Sequence, residues 1–335
     1  MPMTKLQFRP GINRETTSYT NEGGWFDCDK IRFRYGVPEK IGGWYKISGN
    51  TFQGTCRALH PWVVLDGTQF SGVGTHLKYY IEEGGAYYDV TPLRLTTSAG
   101  DVTFSASNGS AVITASDTDH GAIQGDFVTF TGAATLGGNI TASVLNQEYE
   151  ITEIVNANSY KFTATATANS SDTGNGGGST VGKYQINIGL DSSVGGSGWG
   201  AGTWGRGTWG SSSSLLASGA TLRLWSHDNF GEDLLMNVRD GGIYYWDRSD
   251  SSSSFVRAVA LSDESSDAKT PTIAKQILVS DVDKHVIAFG CDPETAIGTQ
   301  DPLLIRFSDQ ESLTTWTTTS TNTAGSLRVG SGSEI

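Results

Sequence analysis

"HLKYYIEEGGAYYDV", residues 76–90, and "DLLMNVRDGGIYYWD", residues 233–247, share one layout: an apolar stretch, a charged turn ending in Gly-Gly, then an aromatic stretch. Glycine takes positive φ at little steric cost, so Gly84-Gly85 and Gly241-Gly242 read as hairpin turns between two strands. A weaker third copy, "PLLIRFSDQESLTTWT" (302–317), replaces the glycines with a longer loop. With the segment between the first two copies set aside, the copies recur about every 70 residues, which suggests a β-propeller with large blades of several short strands. Three blades do not close a propeller of ~4 to 8. The sequence ends at "GSGSEI" with no evident closing strand, so it is expected to be the N-terminal part of a longer protein.

The composition agrees with a fold that is nearly all β. In 335 residues there are 43 glycines, nine tryptophans and only eight prolines, and few stretches place apolar residues at helical spacing. The segment set aside, 99–182, lacks tryptophan and alternates Val, Ile, Phe and Thr in "DVTFSAS", "SAVITAS", "GDFVTFTGA", "EYEITEIV" and "NSYKFTATAT". These predict a separate β domain of about five strands, Ig-like or barrel-like, ending in the flexible tract "NSSDTGNGGGST". The expected organisation is therefore N-terminal strands and a first propeller blade over 1–98, the inserted small β domain over 99–182, and further blades over 183–335.

Charge and cysteine usage exclude several classes. A net charge of −12 and a pI near 4.8 argue against wrapping duplex DNA, where affinity comes from Lys and Arg neutralising phosphates. An acidic surface suits a conduit past which DNA must slide. Cys28, Cys56 and Cys291 have no CxxC spacing, so neither a zinc site nor a disulfide framework is signalled, and free thiols in a reducing cytosol are expected. No apolar run approaches the ~20 residues that span a bilayer, and "MPMTKLQFRPG" has no apolar leader core.

Two motifs stand out. In "DKIRFRYGVPEKIGGW" (29–44), Ile31, Phe33 and Tyr35 alternate with Arg32 and Arg34, which predicts a half-buried strand, a Gly-Val-Pro turn and a second short strand reaching Trp44. Asp27, Asp29 and Glu39 offset the guanidinium field, so a structural or subunit-facing arginine edge is favoured over a phosphate contact. In "GWGAGTWGRGTWG" (198–210), Trp199, Trp204 and Trp209 are five apart, which fits neither helix nor strand period. Packing within or between chains is the preferred reading, because large aromatics anchor interfaces.

No constellation carries catalysis. His60, His76, His120, His227 and His285 are scattered, outside HExxH or GxSxG patterns. Glu82-Glu83 and Asp281/Asp283 lie in turn-like surroundings. "DTDHG" (117–121) offers calcium oxygens without a full ligand loop. Trp246-Asp247 is a lone WD dipeptide, and "SDQESLTTW" (308–316) resembles an Asp-box but lacks its central glycine and has a different spacing.

The strings "GWFDCDKIRFRYGVPEKIGGW", "GWGAGTWGRGTWG" and "RFSDQESLTTWTTTSTNTAGSLRVGSGSEI" together resemble the tail nozzle proteins, or tail tubular protein B, of short-tailed bacteriophages, the marine podoviruses in particular. The resemblance covers the chain outside 99–182, a segment that looks like the β modules such proteins carry in exposed loops. It implies a structural virion protein that folds in the bacterial cytoplasm and joins a homohexameric ring below the portal and adaptor. The ring would bound a channel for genome retention and ejection, and its outer surface would help hold tail fibres. Double-stranded DNA would pass through without sequence-specific binding. No enzymatic activity and no cofactor are implied, and family members are longer than this chain. Two alternatives stay open: a propeller that binds or degrades glycans, and an adhesin whose inserted domain binds a host receptor.

Overall fold

The computed structural model describes residues 8–17, 19–43, 45–46, 48–189, 224–250, 255–332 and 335. Apart from two single-turn helices, the regular structure is antiparallel β-sheet. The chain divides into two compact units, 1–49 and 50–335. The sequence-expected boundaries at 98/99 and 182/183 both fall inside the second unit.

The first unit holds one hairpin, β1 (Ile31–Arg34) and β2 (Val37–Lys40). Its turn is Tyr35-Gly36, with φ of 51° and 80°, and Arg34 sits opposite Val37. Two successive positive φ values are what a two-residue hairpin turn needs, and Gly36 supplies one at no steric cost. The expected Gly-Val-Pro turn is therefore corrected: Val37 and Pro38 belong to β2, which ends at Lys40 and does not reach Trp44. A proline is tolerated there because a two-stranded sheet consists of edge strands. Trp25 packs between Phe8 and Phe33, with ring centroids 5.6 and 6.1 Å away.

The second unit opens with a four-stranded meander, blade 1: β3 (Cys56–Val63), β4 (Gln69–Thr75), β5 (Tyr79–Glu83) and β6 (Ala86–Asp89). Gly72 and Gly74 lie on its packed face. A Cβ on Gly72 would come within 2.3 Å of the Tyr79 hydroxyl, and one on Gly74 within 2.5 Å of the Trp225 ring. The "SGVGT" run thus makes room for two large rings.

Next comes one sheet of eight strands: β7 (Leu93–Thr96), β8 (Thr103–Ala106), β9 (Val112–Ser116), β10 (Phe127–Thr131), β11 (Glu148–Asn156), β12 (Ser159–Thr163), β13 (Asp172–Asn175) and β14 (Val181–Gln185). The short helix α1 (Ala142–Leu145) precedes β11. The spatial order is β13-β8-β9-β12-β11-β10-β14-β7. Phe104, Ile113, Phe130, Ile140, Ile151 and Phe162, all nearly inaccessible, form a core of its own. The five alternating segments become β8 to β12. Of the other three strands, β7 lies before residue 99, β13 lies inside the tract read as flexible, and β14 begins at the end of the segment set aside. Two of the tract's glycines are packed: a Cβ on Gly176 would come within 2.4 Å of the Phe104 ring, and one on Gly177 within 2.8 Å of the Ala134 methyl, whereas Gly174 and Gly178 have open space around them.

Two further meanders follow. Blade 2 is β15 (Trp225–Phe230), β16 (Asp233–Val238), β17 (Ile243–Trp246) and β18 (Val259–Ala260), after which comes α2 (Leu261–Glu264). Blade 3 is β19 (Gln276–Val279), β20 (Val286–Phe289), β21 (Leu304–Phe307) and β22 (Gly325–Arg328). Trp62, Phe70, Tyr79 and Ile81 of blade 1 share a buried cluster with Trp225, Leu234, Met236 and Trp246 of blade 2. Leu235 and Ile243 on the opposite side of blade 2 share another with Ile277, Val286, Ala288 and Leu304 of blade 3. Successive four-stranded sheets packed face to face are the blade arrangement of a propeller.

The internal repeat is corrected by one strand. Gly84-Gly85 joins the third and fourth strands of blade 1, whereas Gly241-Gly242 joins the second and third of blade 2. The turns differ too. Gly84 and Gly85 have φ of 57° and 89°, but in the second turn the positive φ belongs to Asp240, at 55°. Apolar strand, turn and aromatic strand recur at every hairpin of a meander, so the pattern cannot by itself fix which hairpin is matched.

A buried ionic cluster ties the eight-stranded sheet to blades 1 and 2. Lys78, with 3% of its side chain exposed, donates to Asp89 (2.9 Å) and to Glu148 of β11, and lies 4.7 Å from the Phe127 ring centroid. Arg257, just before β18, reaches Asp89 at 3.2 Å and Glu148 at 3.5 Å and donates to the Thr91 carbonyl at 2.8 Å. Gln185 of β14 donates to Glu148 at 2.5 Å. Two cations face two carboxylates, so the cluster is neutral as a whole, the condition under which buried charges are tolerated.

Candidate functional site

Of the residues singled out in the sequence, Arg32 and Arg34 lie on the exposed face of β1. The Arg32 Nε donates to Glu39 at 3.2 Å across the hairpin, and the Arg34 guanidinium lies 5.5 Å from the Tyr35 ring centroid. Tyr35 and Val37 beside them are 92% and 63% exposed. Trp44, Trp199, Trp204 and Trp209 lie outside the described residues.

Titratable groups converge at the ends of the blades. The β3–β4, β15–β16 and β19–β20 turns, with the residues after β17, line a cleft of about 620 Å3 bearing Asp66, Glu232, Asp233, Asp247, Arg248 and Lys284. Asp233 accepts from the Tyr245 hydroxyl at 2.8 Å and the Arg248 amide at 2.9 Å. Burial pushes its carboxyl above the ordinary value, with Asp247 and Glu232 adding to the effect. Arg248 lies 3.7 Å from Asp66 and 5.2 Å from the Phe70 ring centroid. Glu232 accepts from the Leu65 amide at 2.5 Å, and Asp247 from the Ser249 amide and hydroxyl at 2.6 and 2.7 Å. Each of these carboxylates shapes its own loop or a neighbouring one, as turn carboxylates commonly do. Among the described residues no group of three or more His, Cys, Asp or Glu is placed to hold a metal ion. The first aspartate of "DTDHG", Asp117, accepts from the Tyr184 hydroxyl at 2.5 Å inside the eight-stranded sheet.

Two scattered histidines meet. The rings of His60 (β3) and His227 (β15) are 4.8 Å apart; His60 bonds Asn229 at 2.6 Å and His227 bonds the Tyr79 hydroxyl at 3.0 Å. They are 167 residues apart, and no local pattern marks the pair. Burial pushes the His227 imidazole down to about 4, helped by His60. Because this value lies below the ordinary 6.5, the neutral ring supports the fold fully above pH ~6.5, and that support is lost as pH falls through 4. An NMR titration is expected to place the His227 midpoint near pH 4; a midpoint near 6.5 would mean that the ring is open to water.

The fold and these sites define a class: a nearly all-β chain of four-stranded blades with an eight-stranded sheet between the first two. No family model and no curated protein matches the sequence. Among solved structures the chain is similar to the Phage phi92 endosialidase at 14% identity and a TM-score of 0.24, over 89% of this chain and 41% of that one. The chain thus spans less than half of that protein's length.

Proposed function

We propose that the chain is a structural subunit of a short-tailed bacteriophage tail, of the nozzle kind, without turnover of its own. In this reading it joins a cyclic homo-oligomer, hexameric by resemblance, that contacts an adaptor ring and tail fibres and lets double-stranded DNA pass. The supporting observation is the hairpin inside the N-terminal motif. Its outward face combines Arg32, Arg34, Tyr35 and Val37, the mixture of guanidinium, aromatic and aliphatic groups enriched at subunit contacts. Arg32 pairs with Glu39 across the hairpin and Arg34 lies beside the Tyr35 ring, and both guanidinium groups stay on the exposed face, open to a neighbouring subunit. The acidic balance of the chain favours weak, sliding contact with DNA.

Changing Arg32 and Arg34 to Ala together is expected to leave the melting transition nearly unmoved, since an exposed pair such as Arg32–Glu39 contributes ~0–1 kcal/mol. Ring assembly, seen by electron microscopy, is expected to fail. A pure protein that stays monomeric and never co-purifies with tails would refute the reading. Intact rings that leak genome would move the arginines from subunit contact to DNA contact.

A further inference from the structure

The first hairpin turns of the three blades, β3–β4, β15–β16 and β19–β20, lie together around the cleft of about 620 Å3. Two of these turns carry an aliphatic side chain at the tip: Leu65 is 95% exposed and Val282 is 85% exposed. Turns are ordinarily built from Gly, Pro, Asn, Asp and Ser. An aliphatic tip gains nothing from water, and two of them beside one cleft have the make-up of contact anchors.

Both tips are held in place. The Leu65 amide donates to Glu232 of the β15–β16 turn at 2.5 Å, and Asp66 accepts from the Thr68 amide at 2.7 Å and lies 3.7 Å from Arg248. In the β19–β20 turn the Lys284 amide donates to the Ser280 carbonyl at 3.0 Å, and the Glu311 amide donates to the Asp283 carbonyl at 3.2 Å. Side chains presented on fixed turns lose less freedom on binding. The three turns are acidic: Asp66, Glu232, Asp281 and Asp283 stand against Lys284. The β1–β2 hairpin is opposite in charge. Over residues 29–41 it has Lys30, Arg32, Arg34 and Lys40 against Asp29 and Glu39. At its turn Tyr35 and Val37 are 92% and 63% exposed, so it too presents apolar groups among charges.

We propose that the β1–β2 hairpin of one copy seats on the blade-end turns of a second copy. Arg32 and Arg34 then face Asp281 and Asp283, and Tyr35 and Val37 lie against Leu65 and Val282. The occupant is a second copy because the two surfaces are opposite in charge, both carry exposed apolar anchors, and one molecule supplies both. Opposite potentials fix the register and orientation of such a contact. Since the surfaces differ, the contact is head to tail, the kind that generates a ring when its rotation closes. The proposal rests on the tail-subunit reading for the arginine edge being a subunit contact, and adds the surface that receives it.

The test is the mass in solution, by light scattering, of the 335-residue chain, of Arg32→Glu/Arg34→Glu, of Asp281→Arg/Asp283→Arg, and of an equimolar mixture of the two variants. All four side chains are exposed, so circular dichroism is expected to be unchanged. The unmodified chain is expected to associate, and each variant alone to fall to the mass of one chain. The mixture is expected to recover the parent mass, because each hairpin then meets turns of opposite charge on the other variant and the copies alternate around an even-numbered ring. A mixture that stays at the mass of one chain overturns the proposal. A turn variant that still associates also overturns it; if the hairpin variant does not associate in the same series, the arginines remain a subunit contact and the tail-subunit reading stands. A hairpin variant that still associates overturns it and removes the arginines from subunit contact, and a monomeric parent overturns both readings. Should a reversed pair unfold, Tyr35→Ser/Val37→Ser and Leu65→Ser/Val282→Ser replace the two variants. Each is then expected to lose association, and their mixture to reach twice the mass of one chain through its one intact contact.

Discussion

Replacing Arg306 by methionine is expected to lower stability by about 3–5 kcal/mol, because it strips a charged donor from three carbonyls at a buried position. Arg306 lies in β21 with 1% exposure. Its guanidinium donates to the carbonyls of Lys269 (2.6 Å), Asp292 (3.0 Å) and Trp316 (3.4 Å) and lies 5.7 Å from the Trp316 ring centroid. The side chain thus joins β21 to the segments before and after it, and the Glu294 carboxylate, 3.9 Å away, balances its charge. Methionine fills much of the volume and satisfies none of the carbonyls. Lysine keeps the charge but has one donor nitrogen where arginine presents a fork, so an intermediate loss is expected. Urea unfolding followed by tryptophan fluorescence measures both. A loss below ~1 kcal/mol for methionine would mean that the carbonyls find other donors.

Lys78→Met is expected to cost a similar ~3–5 kcal/mol and to change the pH dependence as well. Burial disfavours the charged form of Asp89, but Lys78 and Arg257 outweigh it and hold the carboxyl below the ordinary carboxylate value. A carboxyl depressed in the folded state supports the fold above its unfolded value, near 3.9, and the support is lost as pH falls through the folded value. The wild type is therefore expected to lose stability on acidification below pH ~4, and the variant to lose less, since Asp89 and Glu148 then share Arg257 alone. Denaturant midpoints at pH 7 and pH 3 for both proteins give the comparison. Equal acid sensitivity would show that Lys78 does not set the Asp89 equilibrium.

The sequence made the strand content plain, since apolar alternation is a local property, and β8 to β12 fall on the five segments that alternate. It did not disclose β7, β13 or β14: β13, Asp-Thr-Gly-Asn, has no apolar residue, while β7 and β14 are short strands at the two ends of the alternating segment, brought together by their pairing with each other. The repeat was visible but its register was not, because a meander offers the same signal at each hairpin. In the β1–β2 hairpin the alternation of Arg32 and Arg34 with Ile31 and Phe33 could be read directly, while the turn was placed too late because Val-Pro is an ordinary turn signal. The His60–His227 pair, the Lys78 cluster and the blade-end cleft each join residues far apart in the chain. "SDQESLTTW" reads as a failed Asp-box, yet its one aspartate gathers a loop: Asp309 accepts from the Thr323 amide and hydroxyl at 2.9 and 2.7 Å. Glu311 stands in that loop at a φ of 55°, a conformation glycine would adopt freely.

The strands that begin and end the eight-stranded sheet, β7 and β14, are paired with each other, so the chain leaves the blades and returns to them at one place. Such a layout resembles a cassette: in principle it can be cut out or exchanged with a short splice. The Lys78 cluster sets a condition on that surgery, because Glu148 travels with the cassette while Lys78, Asp89 and Arg257 stay behind. A graft that brings no acid to the Glu148 position leaves an excess positive charge at the seam. Lineages or designs that trade this module are therefore expected to bring an acid with the graft or to surrender the lysine.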